Sequence, residues 1–149
     1  MSFQPISMWR RVFLGSTLAI ILTGCTTIGG FNSRSLEHVT SLKAAHLKFI
    51  DAVTVEKGRN FDVKKVDEDV DKIDLKYREA LEFAVTLDDK LRTSNIQALK
   101  EIFEIDLTDV KGKGRLLTAV ESKTLREPSG QAYDRVVKGE CARPSATCK

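Results

Sequence analysis

From Ser35 onward the apolar residues of this chain fall into helical register. Leu36, Val39, Leu42, Ala45, Phe49, Ala52 and Val53 recur at three- and four-residue steps, so they share one face of a helix predicted over 34–56. At ~1.5 Å per residue such a helix is about 35 Å long. Gly58 and Asn60 mark its end and the start of the next. Val63, Val66, Val70, Ile73, Tyr77, Ala80, Ala84, Leu87 and Leu91 then alternate the same spacings without a break. This predicts one helix over 62–92, about 46 Å long, packed along a coiled-coil-like seam. Charged residues border the seam in its first half, and Leu81 and Phe83 border it in the second. The stripe therefore widens, as a helix requires when it meets two neighbours instead of one.

The next helix is predicted from a capping box of Ser94 and Gln97, with Ile96, Leu99, Ile102, Phe103 and Ile105 on its inner face. Gly112 and Gly114 interrupt the chain beyond it. Leu116, Leu117 and Val120 suggest a short helix that Pro128 stops, before another from about Gln131 to Lys138 that ends at Gly139. The short 57–61 connection makes the first two helices antiparallel neighbours. The expected fold is all-α: an antiparallel helical hairpin with a small three-helix bundle base, short C-terminal helices and a closed tail. A seam of this length can also pair between chains.

The segment before Ser35 follows a different pattern. An apolar run from Val12 to Leu22 is about half the ~20 residues a bilayer-spanning helix needs. Trp9, Arg10 and Arg11 precede it and small residues follow it, which is the layout of a secretory signal. The run closes on Leu22-Thr23-Gly24-Cys25. Here the chain resembles bacterial lipoprotein precursors, whose lipobox is a short apolar-to-small pattern ending in cysteine. The alternative is a general secretory signal in which the cysteine falls there by chance. The resemblance covers only the first 25 or so residues. It implies a signal peptide over 1–24, lipid attachment at Cys25 with palmitate-like acyl chains, and cleavage before Cys25. Thr26 stands where, by analogy, an aspartate would retain the product at the inner membrane, so the implied address is the periplasmic face of the outer membrane. A tether over 25–33, a helical bundle domain over 34–140 and a C-terminal tail over 141–149 complete the expected organisation. Two glycines and no periodicity make the tether read as a flexible leash.

Charge and cysteine usage refine this picture. Without Arg10 and Arg11, 22 basic residues face 21 acidic ones. That near balance, together with export, removes the basis for nucleic-acid binding. An exported location also favours pairing of Cys141 with Cys148. A redox pair is the other reading, although the spacing is not Cys-x-x-Cys. No metal is expected, since neither histidine lies near these thiols in sequence. Asp67, Asp69, Asp71 and Asp74 superficially match a calcium loop. Lys72 and Arg78 occupy the positions where glycine and glutamate belong, and a solvated helix face is the simpler reading.

His46 falls within the first helix's apolar stripe, where it can act as a proton-sensitive switch or simply hydrogen-bond across the core. His38 lies eight residues earlier, and neither histidine joins a nucleophile, carboxylate pair or phosphate loop in a recognisable constellation. An enzyme is not expected, and neither a cofactor nor a small-molecule substrate is evident. Lys57, Arg59, Phe61, Lys64 and Lys65 surround the hairpin tip and form the candidate contact for an acidic or apolar protein partner. The plainer alternative is that these charges are solvated while Phe61 covers the hairpin end. Two functions remain open: a non-catalytic envelope lipoprotein that binds or scaffolds another component, and a protective lipoprotein of the immunity or exclusion kind acting against a toxin, phage or conjugation machinery.

Overall fold

The computed structural model describes residues 29–56 and 59–148. Four helices follow in order: α1 (Ser33–Ala52), α2 (Val63–Thr86), α3 (Lys90–Lys113) and α4 (Ala119–Cys141). The all-α class is as expected. α1 packs against α2 and α4, and α3 packs against the same two, which closes the four into an up-down-up-down bundle.

The starts of the helices are set by side chains that satisfy the first free backbone N–H groups. Asn32 accepts from the Ser35 N–H at 3.1 Å, Asp62 from Lys65 at 3.2 Å and Asp89 from Arg92 at 3.0 Å. Thr118 and Glu121 form a reciprocal capping box at the start of α4. Two hydrogen bonds from Arg115, then the Thr118 backbone, hold the Glu121 carboxyl down to about 2.

Several boundaries differ from the sequence reading. The heptad register runs through Leu87 and Leu91, yet α2 ends at Thr86. Asp88 takes a left-handed backbone (φ 49°) and Asp89 caps α3, so Leu91 belongs to the first turn of the next helix, where it is 46% exposed. Two consecutive aspartates form this turn, and apolar spacing carries no record of it. Ser94 lies within α3, its hydroxyl donating to the Leu91 carbonyl instead of capping the helix. α3 continues through Gly112 and stops at Gly114, whose φ of 59° suits a residue without a Cβ. α1 ends at Ala52, and the chain beyond it pairs in parallel with Leu117 through Val55 N–H to Leu117 O and Leu117 N–H to Val53 O, both 2.8 Å. Leu117 is thus a fully buried bridge residue and not part of a short helix.

Pro128 does not stop a helix. It sits exposed within α4, which takes the place of the two short C-terminal helices. Proline removes one N–H from the ladder and crowds the preceding turn, at a cost of roughly 3 kcal/mol in an unsupported helix. Packing along α1 offsets that cost: Tyr133 and Ala132, just beyond the proline, are buried in the core, and Lys43–Asp134 and Arg126–Asp51 link the outer surfaces at 2.5 and 2.6 Å. Pro128→Ala is therefore expected to raise unfolding stability by about 1–3 kcal/mol, measured by urea denaturation. No gain would mean that the proline is not straining α4.

The core runs the length of the bundle. Val39, Leu42, Phe49 and Ile50 come from α1, Val66, Val70, Ile73 and Tyr77 from α2, Ile96, Leu99, Phe103 and Val110 from α3, and Ala132 and Tyr133 from α4. Val63, expected at the seam, is instead 58% exposed at the start of α2. Among the described residues no helix is long and apolar enough to cross a membrane.

Candidate functional site

One end of the bundle, here termed the base, gathers the start of α1, the α2–α3 turn and the end of α4. The opposite end, the tip, carries the 53–62 and 114–118 connections.

At the base four ionic side chains are almost completely buried: Asp89 and Glu140 at 2%, Arg92 at 5% and Arg143 at 6% exposure. Arg92 grips Glu140 through Nε (3.1 Å) and Nη2 (2.9 Å) and reaches Asp89 through Nη1 (3.1 Å). Arg143 reaches the same Asp89 oxygen at 2.6 Å and Glu140 at 3.1 Å. Two positive and two negative charges cancel inside a low-dielectric site, which is the condition for keeping them there. Burial alone would push the Asp89 carboxyl up. The Arg92 N–H, the hydrogen bond from Arg143 and both guanidinium charges outweigh that effect and hold it below the usual carboxylate range.

The spare donors and acceptors of this cluster bind the entering chain. The Gly29 N–H donates to Asp89 at 3.3 Å, Arg143 donates to Gly29 O at 2.8 Å, and Arg92 donates to Gly30 O at 2.7 Å. The Phe31 N–H adds a bond to Pro144 O at 2.9 Å. A Cβ on Gly29 would lie 2.9 Å from Asp89 Oδ2, so the close approach requires glycine. The stretch read as a flexible leash is therefore fastened to the bundle from Gly29 onward. Residues 1–28, including the Leu22-Thr23-Gly24-Cys25 stretch and Thr26, lie outside the described residues. Cys141 and Cys148 form the expected disulfide, with Cα atoms 5.6 Å apart. It closes the loop that carries both Arg143 and Pro144, so the bridge braces the segment that grips Gly29 and Phe31.

A second polar group lies mid-bundle and draws on all four helices. His46 (α1) is fully buried, with Nδ1 3.2 Å from the Tyr133 hydroxyl (α4). The Tyr133 and Tyr77 hydroxyls are 2.5 Å apart, and Tyr77 (α2) donates to the Leu99 carbonyl of α3 at 2.9 Å. On its other side, His46 Nε2 lies 3.1 Å from Asp106 Oδ2 (α3), in contact but not aligned as a directed hydrogen bond. The Ser129 hydroxyl (α4) donates to that same oxygen at 2.6 Å. Burial pushes Tyr133 up to about 12 and Tyr77 further, so both phenols stay neutral at physiological pH. Phe103 packs edge-on against the His46 ring at 5.0 Å between centroids. Serine, histidine and aspartate meet here, but not as a nucleophilic triad. Ser129 bonds the carboxylate and not the imidazole, and it is itself 1% exposed.

No protein-family model, curated protein or solved structure matches this chain.

At the tip, Phe61 is half-buried against the core, while Arg59, Lys64 and Lys65 are exposed. Lys57 lies outside the described residues. Arg59 donates to the Asp51 and Ala52 carbonyls at 3.0 and 3.1 Å, satisfying the end of α1, and pairs with Glu56. Val55, Val63 and Val120 are each more than half exposed around this end.

The remaining candidates are dispersed. Asp67 pairs with Lys111, Asp69 with Lys72, and Asp74 lies 3.9 Å from Lys100, so the aspartates face different partners along α2. Among the described residues no group of three or more possible metal ligands converges. His38 packs against Phe83 at 5.2 Å, and with Ser35 lines a cavity of about 10 Å³, the room of one water molecule.

Sequence reasoning found His46 but not Tyr77, Tyr133, Asp106 or Ser129 as its companions, and it missed the base cluster entirely. The one legible signal for that cluster was the acidic pair Asp88-Asp89 in the middle of an otherwise apolar register.

Proposed function

We propose that this chain is a lipid-anchored lipoprotein of the cell envelope, attached through Cys25 and held at the periplasmic face of the outer membrane, whose four-helix domain binds or scaffolds another envelope component without catalysing a reaction. The observation that carries this reading is the grip on Gly29–Phe31. The fold spends its most deeply buried charges on fastening the chain four residues after the lipobox cysteine, as a domain that works at the end of an anchor requires. Among the described residues, the one constellation reminiscent of catalysis is sealed in the core, with its serine committed to a carboxylate.

The anchor is tested by expressing the full chain in a bacterial host and weighing the membrane-extracted product. A mass corresponding to a chain beginning at Cys25 plus a diacylglycerol and an amide-linked acyl group supports the reading. An intact leader, or a soluble product with an unmodified thiol, removes it. Cys25→Ala is expected to shift the protein out of the membrane fraction.

The partner surface is assigned to the tip, where Lys64 and Lys65 stand clear of the bundle beside Val55, Val63 and Val120. Arg59 serves the end of α1, so the informative variant reverses only Lys57, Lys64 and Lys65 to glutamate. In-cell cross-linking should lose its captured partner in this variant while the melting temperature changes little. Unchanged capture would transfer the contact to another face.

A further inference from the structure

We infer that the base of the bundle is a lipid-contacting foot: the α2–α3 turn rests on the bilayer surface through Val85 and Leu91 and stands the helices upright on the membrane. The inference rests on the anchor reading and adds an orientation to it.

The chain leaves the bundle at Gly29, whose N–H is bonded to Asp89 in the α2–α3 turn itself. Three residues separate Gly29 from Cys25, and the four Cα-to-Cα steps between them span at most ~14 Å. The turn is therefore confined close to the plane in which the acyl chains are inserted. Two large apolar side chains flank it without cover: Val85 at 63% and Leu91 at 46% exposure. Lys90 is exposed between them and Asp88 is exposed in the turn, so local charge is balanced and does not select the surface. The apolar pair supplies the contact, and the short link raises its effective concentration at the bilayer far above that of a free protein. A peptide or protein groove is a poorer fit, because a lipid surface is the one apolar partner that the length of the link brings to this end.

The rigid fastening makes the contact consequential. If residues 29–31 swung freely, the bundle could lie in any direction. With both glycine carbonyls held by buried arginines, the turn and the chain at Gly29–Gly30 move as one body. The 24-residue α2 and α3 then carry the tip about 36 Å from the membrane surface at ~1.5 Å per residue. The exposed Val55, Val63 and Val120 are presented outward at that distance.

The only tryptophan of the chain, Trp9, lies in the leader, so the processed protein offers a background free of tryptophan. Leu91→Trp, Val85→Trp and Val120→Trp each place one probe at an exposed position, where the fold tolerates it. Each is expressed as the full chain, extracted from membranes and reconstituted into phosphatidylethanolamine–phosphatidylglycerol vesicles with or without brominated acyl chains. Emission from Leu91→Trp and Val85→Trp should fall to about half with brominated lipid, as for side chains ~5–10 Å into the headgroup boundary, while Val120→Trp should be unaffected. Absence of quenching at both base positions, or equal quenching at Val120→Trp, overturns the foot. The mass of the same preparation separates the two failures. Lipid present without quenching rejects the orientation and leaves the anchor standing, whereas lipid absent rejects the anchor and the foot with it.

Discussion

Replacing Arg92 by methionine is expected to lower the unfolding free energy of the bundle by about 3–5 kcal/mol, the usual cost of leaving a buried charge without its partner. Arg92 bonds Glu140 through two nitrogens, Asp89 through a third, and Gly30 O as well. Without it, two buried carboxylates share Arg143 alone and the cluster carries a net negative charge in a site with almost no access to water. Arg92→Met/Glu140→Met should recover most of the loss, because Asp89 and Arg143 remain as a balanced pair at 2.6 Å. Equilibrium urea unfolding of the two single variants and the double variant gives the coupling directly. Additive losses would show that the four groups do not act as one unit.

The same cluster has a predictable acid limb. Asp89 is held below its ordinary value of 3.8 in the folded state, so the unfolded state binds a proton first as the pH falls. Its stabilisation is fully present above that ordinary value and is lost as the pH drops through the lower folded value. Asp89→Asn keeps an N-cap acceptor for the Arg92 N–H, removes the charge, and sets an amide NH2 where Oδ2 accepts from Gly29, Arg92 and Arg143. The variant should be less stable than the parent at neutral pH and should lose less between pH 6 and about pH 2, read as urea midpoints across that range.

These two results would also explain why the architecture was easier to read than the site. Apolar spacing identified three of the four helical faces, since burying Val39, Leu42 and Phe49 or Val66, Val70 and Ile73 is what makes those helices form, and that requirement is written at regular intervals. It could not show where α2 stops. Leu87 and Leu91 continue the register across a turn, and the break is made by the left-handed backbone at Asp88 and the cap at Asp89. It also placed a stop at Pro128, because the packing of α4 on α1 that outweighs the proline is a tertiary fact. The base cluster draws Asp89, Arg92, Glu140 and Arg143 from positions up to 54 residues apart. Apart from the Asp88-Asp89 pair that interrupts the apolar register, nothing local distinguishes them from the solvated charges that surround them. His46 was visible as a polar residue in an apolar stripe, but its partners lie on three other helices.

Those partners make the second large prediction. Asp106→Ala should destabilise the fold by about 3–5 kcal/mol, a drop in melting temperature on the order of 10–20 °C. The substitution strips the Ser129 hydroxyl of its acceptor and removes the charge that faces His46 Nε2, both in a core that offers no replacement. Asp106→Asn should cost less, since an amide oxygen still accepts from Ser129. Tyr133→Phe should cost about 1–3 kcal/mol by leaving His46 Nδ1 without its hydroxyl, while Tyr77 keeps the Leu99 carbonyl. Asp106 and Tyr133 grip opposite sides of one imidazole, so their combined loss should fall short of the sum by 0.5 kcal/mol or more. A loss below about 1 kcal/mol for Asp106→Ala would mean that water reaches these groups, and that apolar packing alone sets the alignment of the four helices. A large, coupled loss would assign the alignment to the polar chain, since the Ser129–Asp106, His46–Tyr133, Tyr133–Tyr77 and Tyr77–Leu99 contacts can form together only when the helices meet at one height.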